Sequence, residues 1–187
     1  MAASHPLFGA DWPVGFDYRD DFITAAEERV LLDAIAEVAF ADFAMRGVVA
    51  RRRVAFFGES YQGAAAAPLP AFLWPVRAEL ADWCGIDAAA LSMALINEYR
   101  PGTPIGWHRD APQYEIVAGV SLSSACRMKF RPYRFPAPTS TRRSATHEIV
   151  LNRRSAYLMR GESRQAYEHH IPPVDLLRYS VTFRTRR

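Results

Sequence analysis

The chain has little cysteine and almost no lysine. Cys84 and Cys126 are its two cysteines in 187 residues. They are too few for a disulfide framework and lack C-x-x-C spacing, so they read as buried reduced thiols. No apolar run approaches the roughly 20 residues that span a bilayer. The opening "MAASHPLFGADWPVGF" lacks the basic-then-apolar order of a signal peptide. A soluble cytoplasmic protein with no membrane partner is the expectation. Neither G-x-G-x-x-G nor D-F-G occurs, and Glu115 stands where a kinase catalytic loop has its Asn, five positions after the Asp of "HRD". Those three absences exclude kinase chemistry for the stretch "PIGWHRDAPQ".

What is present suits one compact domain. The chain is 50% hydrophobic and long enough to bury a sizeable core. Its charge is lopsided: residues 1–126 carry 9 Lys+Arg against 16 Asp+Glu, and residues 127–187 carry 14 against 4. All the basic residues but Lys129 are arginine, whose planar fork suits phosphate and carboxylate. The basic end can face a polyanion or be a solvated surface.

The first half alternates helices and strands. "TAAEERVLLDAIAEV" opens with Thr24 and has Glu27 three residues on, a capping box, with Leu31, Ile35 and Val38 on one face. A second helix is expected over about 70–84, with Pro75 marking a kink or a late start and Gly85 as its C-cap. Between them, Val54 to Phe57 form the core of a strand or hairpin.

From Leu91 the pattern changes to period two. "LSMALINEY" places Leu91, Met93, Leu95, Asn97 and Tyr99 on one face, and "GVSLSSACRMKF" places Val120, Leu122, Cys126, Met128 and Phe130 on one face. "RPYRFPAPTSTRRSAT" is a long loop, followed by further short strands. The chain therefore divides into an N-terminal extension over 1–90 and a β-rich core over 91–187, together one compact domain. The fold class is α+β with a β-sandwich or jelly-roll core and N-terminal helices packed on it.

In a strand, positions i and i+2 point the same way. His108 and Asp110 can therefore both face inward while Arg109 points away. Two imidazoles and a carboxylate converging on one face of an ion make a non-haem iron site, so a second histidine is needed. His5 and His147 are expected in solvent. In "YEHHIPP", one of His169 and His170 can ligate and the other points outward; spacing does not choose between them.

Four motifs in order, in "INEYRPGTPIGWHRD", "GESRQAYEHHI" and "RYSVTFR", resemble the AlkB branch of the Fe(II)/2-oxoglutarate-dependent dioxygenases. That pattern runs N-x-Y-x-x-G, H-x-D, a later H-x-I, and R-Y-N-x-T-F-R. The resemblance covers about residues 91–187, and more loosely "GFDYRDDFI" and "RRRVAFFGESY". It implies a double-stranded β-helix of jelly-roll type. It also implies that His108, Asp110 and His169 hold iron, His169 because it stands two residues before Ile171, and His170 occupies a position that is often Gly. By the same resemblance Arg178 pairs with the distal carboxylate of 2-oxoglutarate, Asn97 and Tyr99 hydrogen-bond it, and Arg184 lies near the carboxylate beside the iron. Ser180 replaces the Asn of the pattern, one hydroxyl where an amide both donates and accepts. The implied cofactors are Fe(II), 2-oxoglutarate and O2.

The resemblance further implies a monomer that oxidatively demethylates N-alkylated bases in single-stranded or base-flipped DNA or RNA, releasing formaldehyde, succinate and carbon dioxide. A modified tRNA, a protein side chain or a small molecule is the alternative substrate, and a nonenzymatic basic β-domain is a third reading. The segment at about 48–64 corresponds to a nucleotide-recognition lid. There Arg52 and Arg53 are candidate phosphate contacts, and Phe56, Phe57 and Tyr61, with Trp107, are candidates to grip a base.

Overall fold

The computed structural model describes residues 12–45, 48–58, 67–133 and 146–187. The expected contribution of Tyr61, like residues 59–64 of the lid, lies outside the described residues.

Both leading helices form for the expected reasons. Helix α1 (Ala25–Ala36) starts at a closed capping box: Thr24 Oγ accepts from the Glu27 N–H at 3.2 Å, and the Glu27 carboxylate accepts from the Thr24 N–H at 2.7 Å. Helix α2 (Trp74–Cys84) follows a 3-10 turn over Ala71–Leu73. Pro75 sits in its first turn, where the missing N–H is not needed, so it marks the start and causes no kink. Gly85, at φ 70°, closes the helix in the left-handed region.

The remaining elements are β1 (Phe16–Arg19), β2 (Ala41–Met45), β3 (Val48–Gly58), β4 (Leu91–Tyr99), β5 (Ile105–His108), β6 (Tyr114–Leu122), β7 (Cys126–Pro132), β8 (His147–Leu151), β9 (Ala156–Met159), the short helix α3 (Gly161–Gln165), β10 (Tyr167–Ile171) and β11 (Arg178–Arg186). They pair antiparallel into a seven-stranded sheet, β1-β9-β6-β11-β4-β3-β2, and a four-stranded sheet, β5-β10-β7-β8. This is the double-stranded β-helix core with N-terminal helices that the sequence led us to expect. β1, β2 and β3 precede residue 90 and are members of the large sheet, β3 directly beside β4.

Period two in the large sheet separates two cores. Ala94, Ile96, Val181 and Phe183 face the helices and pack with Leu31, Ile35, Val76 and Leu80. Val117, Tyr157 and Met159 face the small sheet and pack with Met128, Phe130 and Ile171. β4 and β11 are buried along nearly their whole length; β4 is mostly apolar, whereas β11 alternates apolar residues toward the helices with polar ones toward the space between the sheets.

The segment from Val120 to Phe130 departs from expectation. Val120 and Leu122 belong to the helix-side core, whereas Cys126, Met128 and Phe130 belong to the core between the sheets. The chain turns between them at Ser123, which holds φ 70°, and passes from the large sheet to the small one. Glu28 of α1, fully buried, pins that turn: its carboxylate accepts from the Ser123 N–H at 2.9 Å and from Arg153 Nε at 2.6 Å. Counting positions across a turn assumes one strand where there are two.

Candidate metal and cosubstrate site

The inner face of the large sheet carries a row of polar side chains along β11 (Arg178, Ser180, Thr182 and Arg184), with Asn97 and Tyr99 beside them on β4. These side chains line a cavity of about 1080 Å³ that also reaches His108 and His169 of the small sheet and Asp110 just after β5. Its size accommodates a small diacid together with part of a second molecule.

The two histidines arrive by strand pairing. His169 of β10 is the cross-strand partner of His108 of β5, so both imidazoles share a face, with ring centroids 4.2 Å apart. His170 points the other way: its ring stacks on Trp107 at 5.0 Å and its Nδ1 lies 2.7 Å from the Ile105 carbonyl. Asp110 lies beyond the end of β5. It is placed by Arg184 from β11, not by alternation along one strand. Arg184 donates to Asp110 Oδ1 from Nη2 at 2.7 Å and from Nε at 3.1 Å, and to Thr182 Oγ1 at 3.1 Å.

The electrostatics sort the three groups into ligand form. Burial opposes ionisation of Asp110, but Arg184 and the two imidazoles outweigh it and hold the carboxyl well below the usual range. Burial pushes His169 down to about 3, with His108 adding to the shift, and burial lowers His108 as well. At neutral pH the site presents one carboxylate and two neutral imidazoles, the donor set that suits a ferrous ion. His108 Nδ1 lies 2.8 Å from the Gly106 carbonyl, which leaves Nε2 for a metal. Asp110 Oδ2 is buried with no hydrogen-bond partner, 3.7 Å from His169 Nε2. As the side chains stand, no group of three or more His, Cys, Asp or Glu among the described residues, this trio included, is drawn together closely enough to hold a metal ion. An orphaned carboxylate oxygen beside the neutral His169 imidazole, with the His108 ring 4.2 Å from it, nevertheless has the chemistry of a cation site.

A second orphan marks the other end. Arg178, 1% exposed, donates from Nε to Ser121 Oγ at 3.0 Å and lies over the Tyr99 ring at 5.0 Å, while its Nη1 is buried without a partner. A buried guanidinium with an unused donor fits an incoming carboxylate. Asn97 is occupied within the wall: Nδ2 donates to Ser180 Oγ and Oδ1 accepts from Arg52 Nε, each at 3.2 Å.

The lid candidates divide by face. Arg52 reaches the cavity and lies over the Phe43 ring at 4.4 Å, and Phe56 packs on Phe43 beside it. Arg53 and Phe57 lie on the opposite face of β3 and do not line the cavity. Arg53 pairs with Glu98 at 3.3 Å and the Phe40 carbonyl at 3.1 Å, and Phe57 packs into the helix-side core. Trp107 lines the mouth, in contact with His170 and, at 4.3 Å, with the Arg131 guanidinium. Three further lining residues are not singled out as site residues by the sequence: Arg109 at the mouth, the buried Arg164 of α3, and Tyr157, while Ser121 lies behind the wall and holds Arg178. Arg109, away from the metal ligands as expected, lies over Tyr133 at 3.5 Å and donates to the Gln165 carbonyl at 2.9 Å.

A model of the 2OG-Fe(II) oxygenase superfamily matches residues 50–184. Among proteins of known sequence, the chain is 27% identical to the "Alkylated DNA repair protein ALKBH8 homolog" of Arabidopsis thaliana, over 89% of this chain and 54% of that one. It is 25% identical to "Uncharacterized protein L905" of Acanthamoeba polyphaga mimivirus, over 85% and 73%. The chain thus spans about half the length of the plant relative. Among solved structures, OsALKBH1 superposes with a TM-score of 0.62 at 13% identity, covering 91% of this chain and 98% of that one. A prolyl hydroxylase of Trichoplax adhaerens, in complex with a hypoxia inducible factor peptide fragment, superposes with a TM-score of 0.65 at 12% identity, covering 92% and 83%. At those identities the structural likeness shows the fold alone.

Proposed function

The chain belongs to the 2OG-Fe(II) oxygenase superfamily, enzymes that use Fe(II), 2-oxoglutarate and O2, and from that premise we propose that it is an AlkB-type demethylase of N-alkylated bases in DNA or RNA. The observation that carries the assignment of the site is that two of the unpartnered buried atoms of this cavity are Asp110 Oδ2, beside the His169 imidazole, and Arg178 Nη1 at the far end. A metal ion and a dicarboxylate would satisfy both at once.

In this reading His108, Asp110 and His169 would hold the metal, which with 2-oxoglutarate and O2 would supply the oxidising equivalent for hydroxylating an N-methyl carbon, 2-oxoglutarate ending as succinate and carbon dioxide. The hydroxylated methyl group then leaves as formaldehyde. The protein's own work is placement. Arg178 takes the distal carboxylate, with Ser121 fixing its Nε and Tyr99 its plane. Arg184 turns Asp110 so that one oxygen is bound and the other is free for the ion. Burial keeps both histidines neutral, so neither has to lose a proton before binding metal.

The nucleic-acid substrate is supported by the charge of the cavity lining, even with the buried Arg178 and Arg184 set aside for the cosubstrate and Asp110. The cavity is lined by six arginines, Arg52, Arg109, Arg164, Arg178, Arg184 and Arg187, against two carboxylates, Asp110 and Glu168. A cleft of one sign focuses its field and concentrates anionic substrate. The plant relative's name, an alkylated DNA repair protein homolog, points the same way. A base would have to leave its stack to enter.

The test is a panel: Fe(II)-loaded protein with 2-oxoglutarate, assayed for formaldehyde on N-methylated single-stranded DNA, duplex DNA and tRNA. Release from at least one is expected. Turnover of 2-oxoglutarate with no release from any nucleic acid, and no salt-sensitive binding to them, would leave an oxygenase of a different substrate class.

A further inference from the structure

We propose that Tyr157 is a further cosubstrate-binding residue, its hydroxyl donating a hydrogen bond to the keto-acid end of 2-oxoglutarate. The proposal rests on the reading of the cavity given above. Tyr157 is 7% exposed and lines the cavity; no hydrogen bond ties its hydroxyl to another described residue, and that oxygen is not among the sealed unpartnered atoms, so it opens on the cavity as an available donor. Burial raises its pKa, so it stays protonated and available as a donor.

Strand register says which end of the cavity it serves. Tyr157 is the partner of Gly119, Gly119 of Thr182, and Thr182 of Leu95, so the four form one row across β9, β6, β11 and β4. The ring lies across Gly119. A Cβ there would stand 2.9 Å from Tyr157 Cε1 and Cζ, and 2.8 Å from Thr182 Cγ2. Only glycine leaves that path open, and it brings the hydroxyl-bearing end of the ring toward β11. Along β11, Thr182 is two residues from Arg184 and four from Arg178. At about 3.4 Å per residue, the row lies about 7 Å from the Asp110–Arg184 end and about 14 Å from the Arg178 end.

Near the row of Thr182 the neighbouring polar groups are engaged, and the unpartnered Arg178 Nη1 lies toward the other end. Arg184 donates to Asp110 and Thr182, the Thr182 hydroxyl donates to the Leu95 carbonyl, and Asn97 donates to Ser180. Ser180 itself stands where the motif has an amide. The phenol of Tyr157 supplies a donor in the row of Thr182, whose own hydroxyl is given to the Leu95 carbonyl.

The experiment titrates Mn(II)-loaded protein with 2-oxoglutarate and with glutarate, which lacks the keto group, by calorimetry. Tyr157→Phe keeps the ring and removes only the hydroxyl. It is expected to weaken 2-oxoglutarate binding about five- to tenfold while leaving glutarate affinity and melting temperature unchanged. Gly119→Ala, which displaces the ring, should reproduce the loss and add little to it when combined with Tyr157→Phe. If wild type binds 2-oxoglutarate and Tyr157→Phe binds it equally well, or loses glutarate to the same degree, the proposal is overturned and the reading of the site stands. If wild type does not bind 2-oxoglutarate, both fall together.

Discussion

Asp110 gives one carboxylate oxygen to Arg184 at 2.7 Å and keeps the other unpartnered, 3.7 Å from His169 Nε2. The two oxygens have separate tasks. The first is a buried, charge-assisted contact between sheets that exists without any metal; the second is the one left for an ion. Removing the carboxylate therefore damages the fold and the site together, whereas removing a histidine damages mainly the site.

Asp110→Ala should destabilise the metal-free protein by about 3–5 kcal/mol, because it strands the buried guanidinium of Arg184. Urea denaturation of apo protein measures it. His169→Ala, which leaves that pair intact, should cost clearly less in the same experiment. Equal costs would mean that the Asp110–Arg184 contact contributes nothing to the fold.

His169→Ala should lower metal-dependent succinate formation by at least about 100-fold, as loss of a ligand exceeds the 10- to 100-fold effects of its supporting partners. His170→Ala should retain most of the activity, since His170 stacks on Trp107 outside the trio. The reverse ranking would exchange their roles.

Arg178→Lys keeps the charge and loses the fork. The ammonium cannot donate to Ser121 and a carboxylate in the same two directions. The KM for 2-oxoglutarate should rise about tenfold or more, with a smaller change in kcat. An unchanged KM would place the distal carboxylate elsewhere.

Binding to single-stranded oligonucleotide should weaken steeply with salt, and Arg109→Ala should reduce the slope of log K against log salt by about one. Arg109 is exposed at the mouth and touches none of the three metal ligands, so succinate formation without nucleic acid should be unaffected. A salt-independent Kd would argue against phosphate contacts.

Much of this protein is determined locally. The capping box at Thr24, the proline that opens α2, the glycine that ends it and the period-two runs of β4 and β11 each depend on neighbours a few residues away, so their elements could be named from the sequence. The same holds for the order of His108, Asp110, the His pair and Arg178. Geometry between strands is different. Alternation says that His169 and His170 point to opposite faces, but only the pairing of His169 with His108 decides which face is inside. Alternation likewise separates Arg52 from Arg53 and Phe56 from Phe57; that the first of each pair faces the cavity side follows from the docking of β3 on β4. The turn at Ser123 sends one apparent strand into two sheets because a carboxylate 95 residues earlier holds its N–H. Asp110 is aimed by an arginine 74 residues away, and Tyr157 enters the cavity because a strand partner distant in the chain is glycine. Sequence by itself determined the elements and the chemical groups available. Tertiary structure decided which groups meet, because the face a strand presents inward is set by its partners across the sheet and not by its own residues.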